Sequence, residues 1–212
     1  MTYPADLRVD APLEVANWRP LVHWLLAIPH LIVANVLSNV ASVLALISWF
    51  TIVFTGSLPQ GIADFQCMIL RYETRAYSYA LWLREGYPPF EFQLQAEDPG
   101  TDPVHVDLQP QLEDRDRLTV GLRFLWIIPI ALFTAVVGIA ACVAIVISFF
   151  AVLFTGRWPE SIHRFVVNTA RLVLRLNVYG RLLVDDYPPF ALEEGGGIAP
   201  IAPAPPAPPA PA

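Results

Sequence analysis

The sequence predicts a mainly α-helical integral membrane protein built from two tandem repeats, with minor short strands. Three observations carry that expectation. Hydrophobic residues make up 55% of the 212 residues and charged residues 15%, against roughly 45–50% and about 25% in an ordinary soluble domain. The apolar excess is gathered into two blocks, residues 21–55 and 119–155, each longer than the ~18 residues that mark a transmembrane candidate. A shift of 100 residues then superimposes the two halves without a gap from about residue 24 to residue 192.

The composition also excludes several classes. A net charge of −6 offers no basic footprint for nucleic acid, and so apolar a chain is not a disordered one. Cys67 and Cys142 are the only cysteines, and without paired spacing they predict neither a disulfide framework nor a zinc site. The first twenty residues carry Asp6, Arg8, Asp10, Glu14 and Arg19 instead of a basic start followed by an apolar run, so no cleavable signal peptide is expected.

The repeat keeps its register through residues that chance rarely matches. Ile28-Pro29 falls on Ile128-Pro129, Phe54-Thr55-Gly56 on Phe154-Thr155-Gly156, and Pro59 on Pro159. Arg71, Arg75 and Tyr79 meet Arg171, Arg175 and Tyr179, and Tyr87-Pro88-Pro89-Phe90 meets Tyr187-Pro188-Pro189-Phe190. Residues 1–95 form the first unit, 96–117 an acidic linker and the start of the second, and 118–194 the rest of it. Residues 195–212 are almost entirely Gly, Pro and Ala, a composition that predicts a disordered, polyproline-like tail.

Each apolar block is either one long helix or a helical hairpin. A single 34-residue helix would reach about 51 Å at 1.5 Å per residue, against a hydrocarbon core of about 30 Å. Asn35, Ser38, Asn39 and Ser42 in the first block, and Thr134 and Gly138 in the second, mark the least apolar points. A turn there favours hairpins, which would also place every flanking arginine in one compartment. In the alternative, a single span begins with an interfacial stretch up to Pro29 or Pro129, and the small central residues serve helix packing.

After each block, Thr-Gly and a proline three residues beyond the glycine predict a helix end and a new helix start. Residues 59–85 and 159–185 then follow a three- and four-residue apolar step with arginines on another face. That pattern predicts amphipathic helices lying in the membrane interface. On them, Arg71, Arg75, Arg171 and Arg175 are candidate sites for lipid headgroups or, if they converge, for an anionic ligand or partner. The double prolines force the chain out of helix, and Tyr87, Phe90, Tyr187 and Phe190 are candidate interfacial anchors. Alternation around Phe90–Leu94, Val104–Leu108 and Leu7–Val9 suggests short strands that pair over the polar side.

No chemistry-bearing constellation emerges. His23 and His30 are replaced by Arg123 and Ile130 in the second copy, and a metal would need further ligands. Neither a glycine-rich phosphate loop nor an acidic residue inside the apolar blocks is present, so catalysis, cofactors and a carboxylate ion pathway are not expected.

Ala27-Ile28-Pro29-His30, Trp49-Phe50 leading to Phe54-Thr55-Gly56, Pro59, Arg71, Arg75 and Tyr87-Pro88-Pro89-Phe90 resemble a bacterial membrane family, the domain of unknown function 4389. The resemblance covers both copies and departs at Ile130 and Phe149. It implies a bacterial membrane location and carries no activity or catalytic residues with it. The expected role is a non-enzymatic, multi-pass scaffold or accessory subunit of the bacterial inner membrane that presents its polar face and Pro/Ala tail to partners. Membrane lipids and a protein partner or second copy are its expected contacts. The rival expectation is a component of lipid or small-solute transport, with Asn35, Ser38 and Asn39 near an internal polar path.

Overall fold

The computed structural model describes residues 3–192; the Pro/Ala tail lies outside them. In chain order the elements are strand β1 (Ala5–Val9), helix α1 (Arg19–Thr55), α2 (Gln60–Ala80), strand β2 (Val104–Leu108), the short α3 (Arg117–Gly121), α4 (Arg123–Thr155) and α5 (Glu160–Gly180). Both apolar blocks run unbroken through their middles, the second interrupted only at Leu122 near its start, so the favoured turn in the middle of each block is overturned. Asn39 and Ser42 bond back to the Asn35 and Ser38 carbonyls, and Thr134 to that of Ile130, so these polar groups are satisfied inside the helix and leave it unbroken.

A fold-back does occur, at the helix end instead. Gly56 and Gly156 adopt φ of 77° and 67° and donate their N–H to Ile52 and Val152, the left-handed cap that glycine makes at least cost. The chain then reverses, and α2 runs back antiparallel along α1. Residues 23, 30 and 41 of α1 meet residues 79, 72 and 68 of α2 in turn. The second unit repeats this, with Arg123 over Tyr179 and Ile130 against Leu172. The amphipathic helices therefore lie on the long helices, not free in an interface.

Both amphipathic helices stop earlier than the predicted 85 and 185, at Ala80 and Gly180. Trp82 and Leu182 take left-handed backbone angles, φ 47° and 63°, and Leu83 and Leu183 donate to the Ser78 and Val178 carbonyls five residues back. A left-handed non-glycine residue costs roughly 1–2 kcal/mol, which burial of both side chains offsets.

The lead-in segments are exchanged between the units. Strand β1, at the head of the first unit, packs on α5 of the second, and β2, at the head of the second, packs on α2 of the first. The two strands pair antiparallel, with Leu7 opposite Val106. The exchange extends to the turns: Leu13 accepts from Trp158 and Val15 donates to Gly156, while Leu112 accepts from Leu58 and Arg115 donates to Gly56. Residues 90–94, expected as a strand, carry no ladder. The strands rest on α2 and α5 rather than on α1 or α4, which gives three layers: the long helices, the amphipathic helices, then the sheet and linker.

Candidate functional site

The four repeated arginines sit inside this stack. Arg71, Arg75, Arg171 and Arg175 are 1–6% exposed, so the expectation of guanidinium groups displayed to headgroups is corrected. The reason is the third layer, which closes over them. Arg71 donates to the carbonyls of Gln95, Ala96 and Glu97. Arg75 donates to Asp98 at 3.0 Å and to the Val104 carbonyl. Asp102 also lies 3.7 Å from Arg75, and it holds Arg84. In the second unit Arg171 reaches Asp6 at 2.8 Å and the Leu7 carbonyl at 2.7 Å, and Arg175 reaches the Ala5 carbonyl. Burial works against the charge on Arg71 and Arg175, and Asp98 and Asp6 respectively oppose that shift.

The two pairs do not converge on a common site. Each ends in its own network, and Arg75 and Arg175 play matching parts, bonding through Nε to the first residue of the strand that leads the other unit. Arg171 also borders an open cleft of about 310 Å³ with Arg8, His163, Arg164 and Glu160, where charges of both signs meet.

The aromatic exits fold back on the helices. Phe90 stacks on His30 at 4.1 Å and Tyr87 lies 4.6 Å from it, while Tyr187 meets Tyr179 and Phe190 meets Phe133. Tyr87, Phe90, Tyr187 and Phe190 nevertheless stay 38–53% exposed, one face packed and one open. His30 Nδ1 lies 2.8 Å from the Tyr72 hydroxyl, and His23 stacks on Tyr79. The gap beside His30 encloses about 10 Å³, barely room for one water, so this aromatic set is packing and not a pocket. Among the described residues no group of three or more His, Cys, Asp or Glu could hold a metal.

Asn35 and Asn39 are exposed on the outer side of α1, where Asn35 borders an open hollow with Ile28, Leu31, Ile32 and Val36, and none of Asn35, Ser38 and Asn39 borders the cleft described next. The expected internal polar path is therefore not formed by them.

That cleft lies between α2, α4 and α5, encloses about 280 Å³, and is bordered by Gly138, Cys142 and Ile145 of α4, Glu73 and Tyr77 of α2, and Val173 of α5. One wall residue, Glu73, belongs to a buried ion pair: its Oε2 accepts from Arg181, which is not among the lining residues, at 2.6 Å. Sequence reasoning missed this pair, yet a signal exists. At positions 73/173 one copy has Glu and the other Val; at 81/181 one has Leu and the other Arg. The two departures from the repeat have opposite charge and find each other in space.

The model of the family described as Domain of unknown function (DUF4389) matches residues 17–91 and again 117–191. The chain belongs to that family, in two copies. The DUF4389 match begins just before each long helix and ends after each Tyr-Pro-Pro-Phe exit, so both exchanged strands and the arginine-neutralising Asp6, Asp98 and Asp102 fall outside the family unit. No curated protein and no solved structure gives a match.

Proposed function

We propose that this DUF4389 protein is a non-enzymatic scaffold or accessory subunit of the bacterial inner membrane. The observation that carries the reading is the outer surface of α1 and α4. Both helices are long and apolar enough to cross a membrane, and only 17% and 22% of their most apolar windows are buried within the chain. Leu25, Ile32, Val43 and Phe54 of α1, and Leu132, Ile139, Val143 and Phe154 of α4, are all more than half exposed. Apolar surface of that extent requires lipid or a partner.

The layering favours a particular seating. Polar α2 flanks α1 from residue 23 to residue 41 and beyond, so an upright α1 would carry the arginine–aspartate networks into hydrocarbon, at a cost of several kcal/mol. With α1 and α4 lying in the membrane surface, only their outer faces enter lipid. The sheet and linker then face water, where a partner protein can meet them.

Two measurements test this. Carbonate-washed membranes should retain the full chain. Capture from mild detergent should recover a defined partner that is lost on deleting residues 195–212. Release by carbonate, or a chain that is monomeric and partner-free in every mild detergent, would sink the reading. The cleft between α2, α4 and α5 favours a second reading, a component of lipid transport; reconstituted lipid transfer abolished by Gly138→Leu would support it.

A further inference from the structure

A seat that is filled in the first unit stands open in the second. Beside α2 the linker lies on the helix: Arg71 takes the carbonyls of residues 95–97, and Ala96 packs against the cluster that holds Ala63, Cys67 and Leu108. Gln93 and Pro99 close down on Met68 and Arg71 until only about 10 Å³ is left between them. Arg75 and Arg175 bond Val104 and Ala5 alike, so Val9 of β1 answers to Leu108 of β2. The matching residues of the second unit, Val9, His163, Val167, Asn168 and Arg171, line the cleft of about 310 Å³ between β1 and α5. Ala63, Met68 and Leu108 are buried, whereas His163, Asn168 and Val9 are only half-buried.

The chain's own sequence does not supply a second filling of the same kind. At the positions of Gln95, Ala96, Glu97 and Asp98 stand Gly195, Gly196, Gly197 and Ile198. They offer no side chain in the place of Ala96 and no carboxylate in the places of Glu97 and Asp98.

The walls of the cleft describe the missing occupant. Arg164 is exposed and makes no hydrogen bond or ion pair among the described residues, and Arg8 reaches only Asp107, at 3.5 Å. Of the two acids, Asp10 already faces His105 at 3.4 Å, which leaves Glu160 at the start of α5. Arg171 is matched by Asp6 at 2.8 Å. Two cations thus stand against one acid, and the segment that fills the first seat carries Glu91, Glu97 and Asp98. The strand adds a backbone contact. Asp10 and Gln109 donate to the Pro103 and Pro4 carbonyls, so the even-numbered residues of β1 face β2 and the Val9 backbone faces away from it. The Val9 N–H has no acceptor among the described residues, and an open strand edge accepts an extended chain.

We infer that the cleft between β1 and α5 docks an extended acidic segment of a partner protein, its carboxylates on Arg164 and Arg8 and its backbone against Val9. The inference deepens the scaffold reading, and rests on it only in supposing a partner; the cleft gives that partner a hold separate from the Pro/Ala tail.

The test uses the purified full chain in detergent and a fluorescent peptide copying residues 91–98, with anisotropy as the readout. The peptide should bind, and a copy with Gln and Asn for its acids should bind about tenfold more weakly. Arg164→Glu, at an exposed position, should weaken the acidic peptide similarly and favour a copy in which Lys replaces Glu97 and Asp98. That exchange of preference reads recognition rather than folding. Hydrogen exchange at the Val9 amide should slow when peptide is added, while Leu108 stays unchanged. Equal binding of acidic and neutral peptides, or binding indifferent to Arg164→Glu, would overturn the inference. So would binding seen only in a chain cut after Leu192, since the chain's own following residues would then be the occupant. None of these outcomes bears on retention in carbonate-washed membranes or on tail-dependent capture, so the scaffold reading stands or falls separately.

Discussion

The two repeats carry the same arginine pair and satisfy it by different means. In the first unit Arg71 and Arg75 are met by Asp98, Asp102 and Glu91 and by four backbone carbonyls, all between residues 91 and 104. In the second, Arg171 and Arg175 reach across the chain to Asp6 and to the Ala5 and Leu7 carbonyls. The family unit thus supplies a cationic socket, and each copy accepts whatever acidic, extended segment the chain brings to it. The difference teaches that an arginine repeated in register specifies burial against backbone oxygen and carboxylate, without specifying where in the sequence the partner lies.

The largest effect expected from breaking this comparison is at Asp6. Asp6→Ala removes a carboxylate that lies within 4 Å of both second-unit arginines and should destabilise by about 3–5 kcal/mol, the cost of stranding buried charge. Denaturant unfolding of the purified chain measures it. Asp98→Asn should cost less, about 1–3 kcal/mol, because Asp102 and Glu91 still stand within reach of Arg75. Equal losses at the two sites would refute the idea that the first socket is the better neutralised.

The turns sharpen the comparison next. Gly56→Ala and Gly156→Ala both place a side chain at positive φ, at about 1 kcal/mol or more each. Gly156→Ala should be the worse, because its Cβ would come within 2.7 Å of Asn17 Oδ1, whereas at Gly56 the nearest atoms, at 3.1 Å, end the flexible Arg117 side chain. His30→Ile copies the second unit into the first. It removes the hydrogen bond to Tyr72 and the stack on Phe90, worth about 1 kcal/mol. Hydrogen exchange should rise over residues 87–93 and stay unchanged over 187–190.

The smallest effect concerns pH. Burial lowers the pKa of His163 from its ordinary 6.5, and the first unit has Ala63 at that position. The folded state binds the proton less readily than the unfolded one, so this contribution is present above pH 6.5 and is lost as pH falls below it. The stability difference between the natural chain and His163→Ala should therefore shrink between pH 7 and pH 5. A constant difference would mean that His163 titrates alike in both states.

Much of the architecture was legible in the residues. The 100-residue repeat, both family units, the helix ends at Gly56 and Gly156, and the strands around 7–9 and 104–108 all follow from periodicity and from residues with few conformational choices. The hairpin expected inside each block is absent because the Asn and Ser row of the first, and Thr134 with Gly138 in the second, read as breaks although Asn39, Ser42 and Thr134 bond within their own helix. The ends of α2 and α5 were missed because Trp82 and Leu182 give no turn signal; burial holds them in a left-handed conformation. The spacing of the candidate arginines predicts exposure, yet they are buried, since nothing in that spacing says that a strand or linker will cover them.

What the sequence determined by itself was local: which stretches are helical, where they stop, and that the unit occurs twice, because these depend on residues within a few positions of one another. Tertiary structure alone decided that the lead-in strands cross over to the opposite units, that the arginines are buried, and that Glu73 meets Arg181 beside a cleft. Those outcomes depend on contacts between residues from 16 to 170 positions apart, where no local preference acts and the closing of the three layers selects the partner.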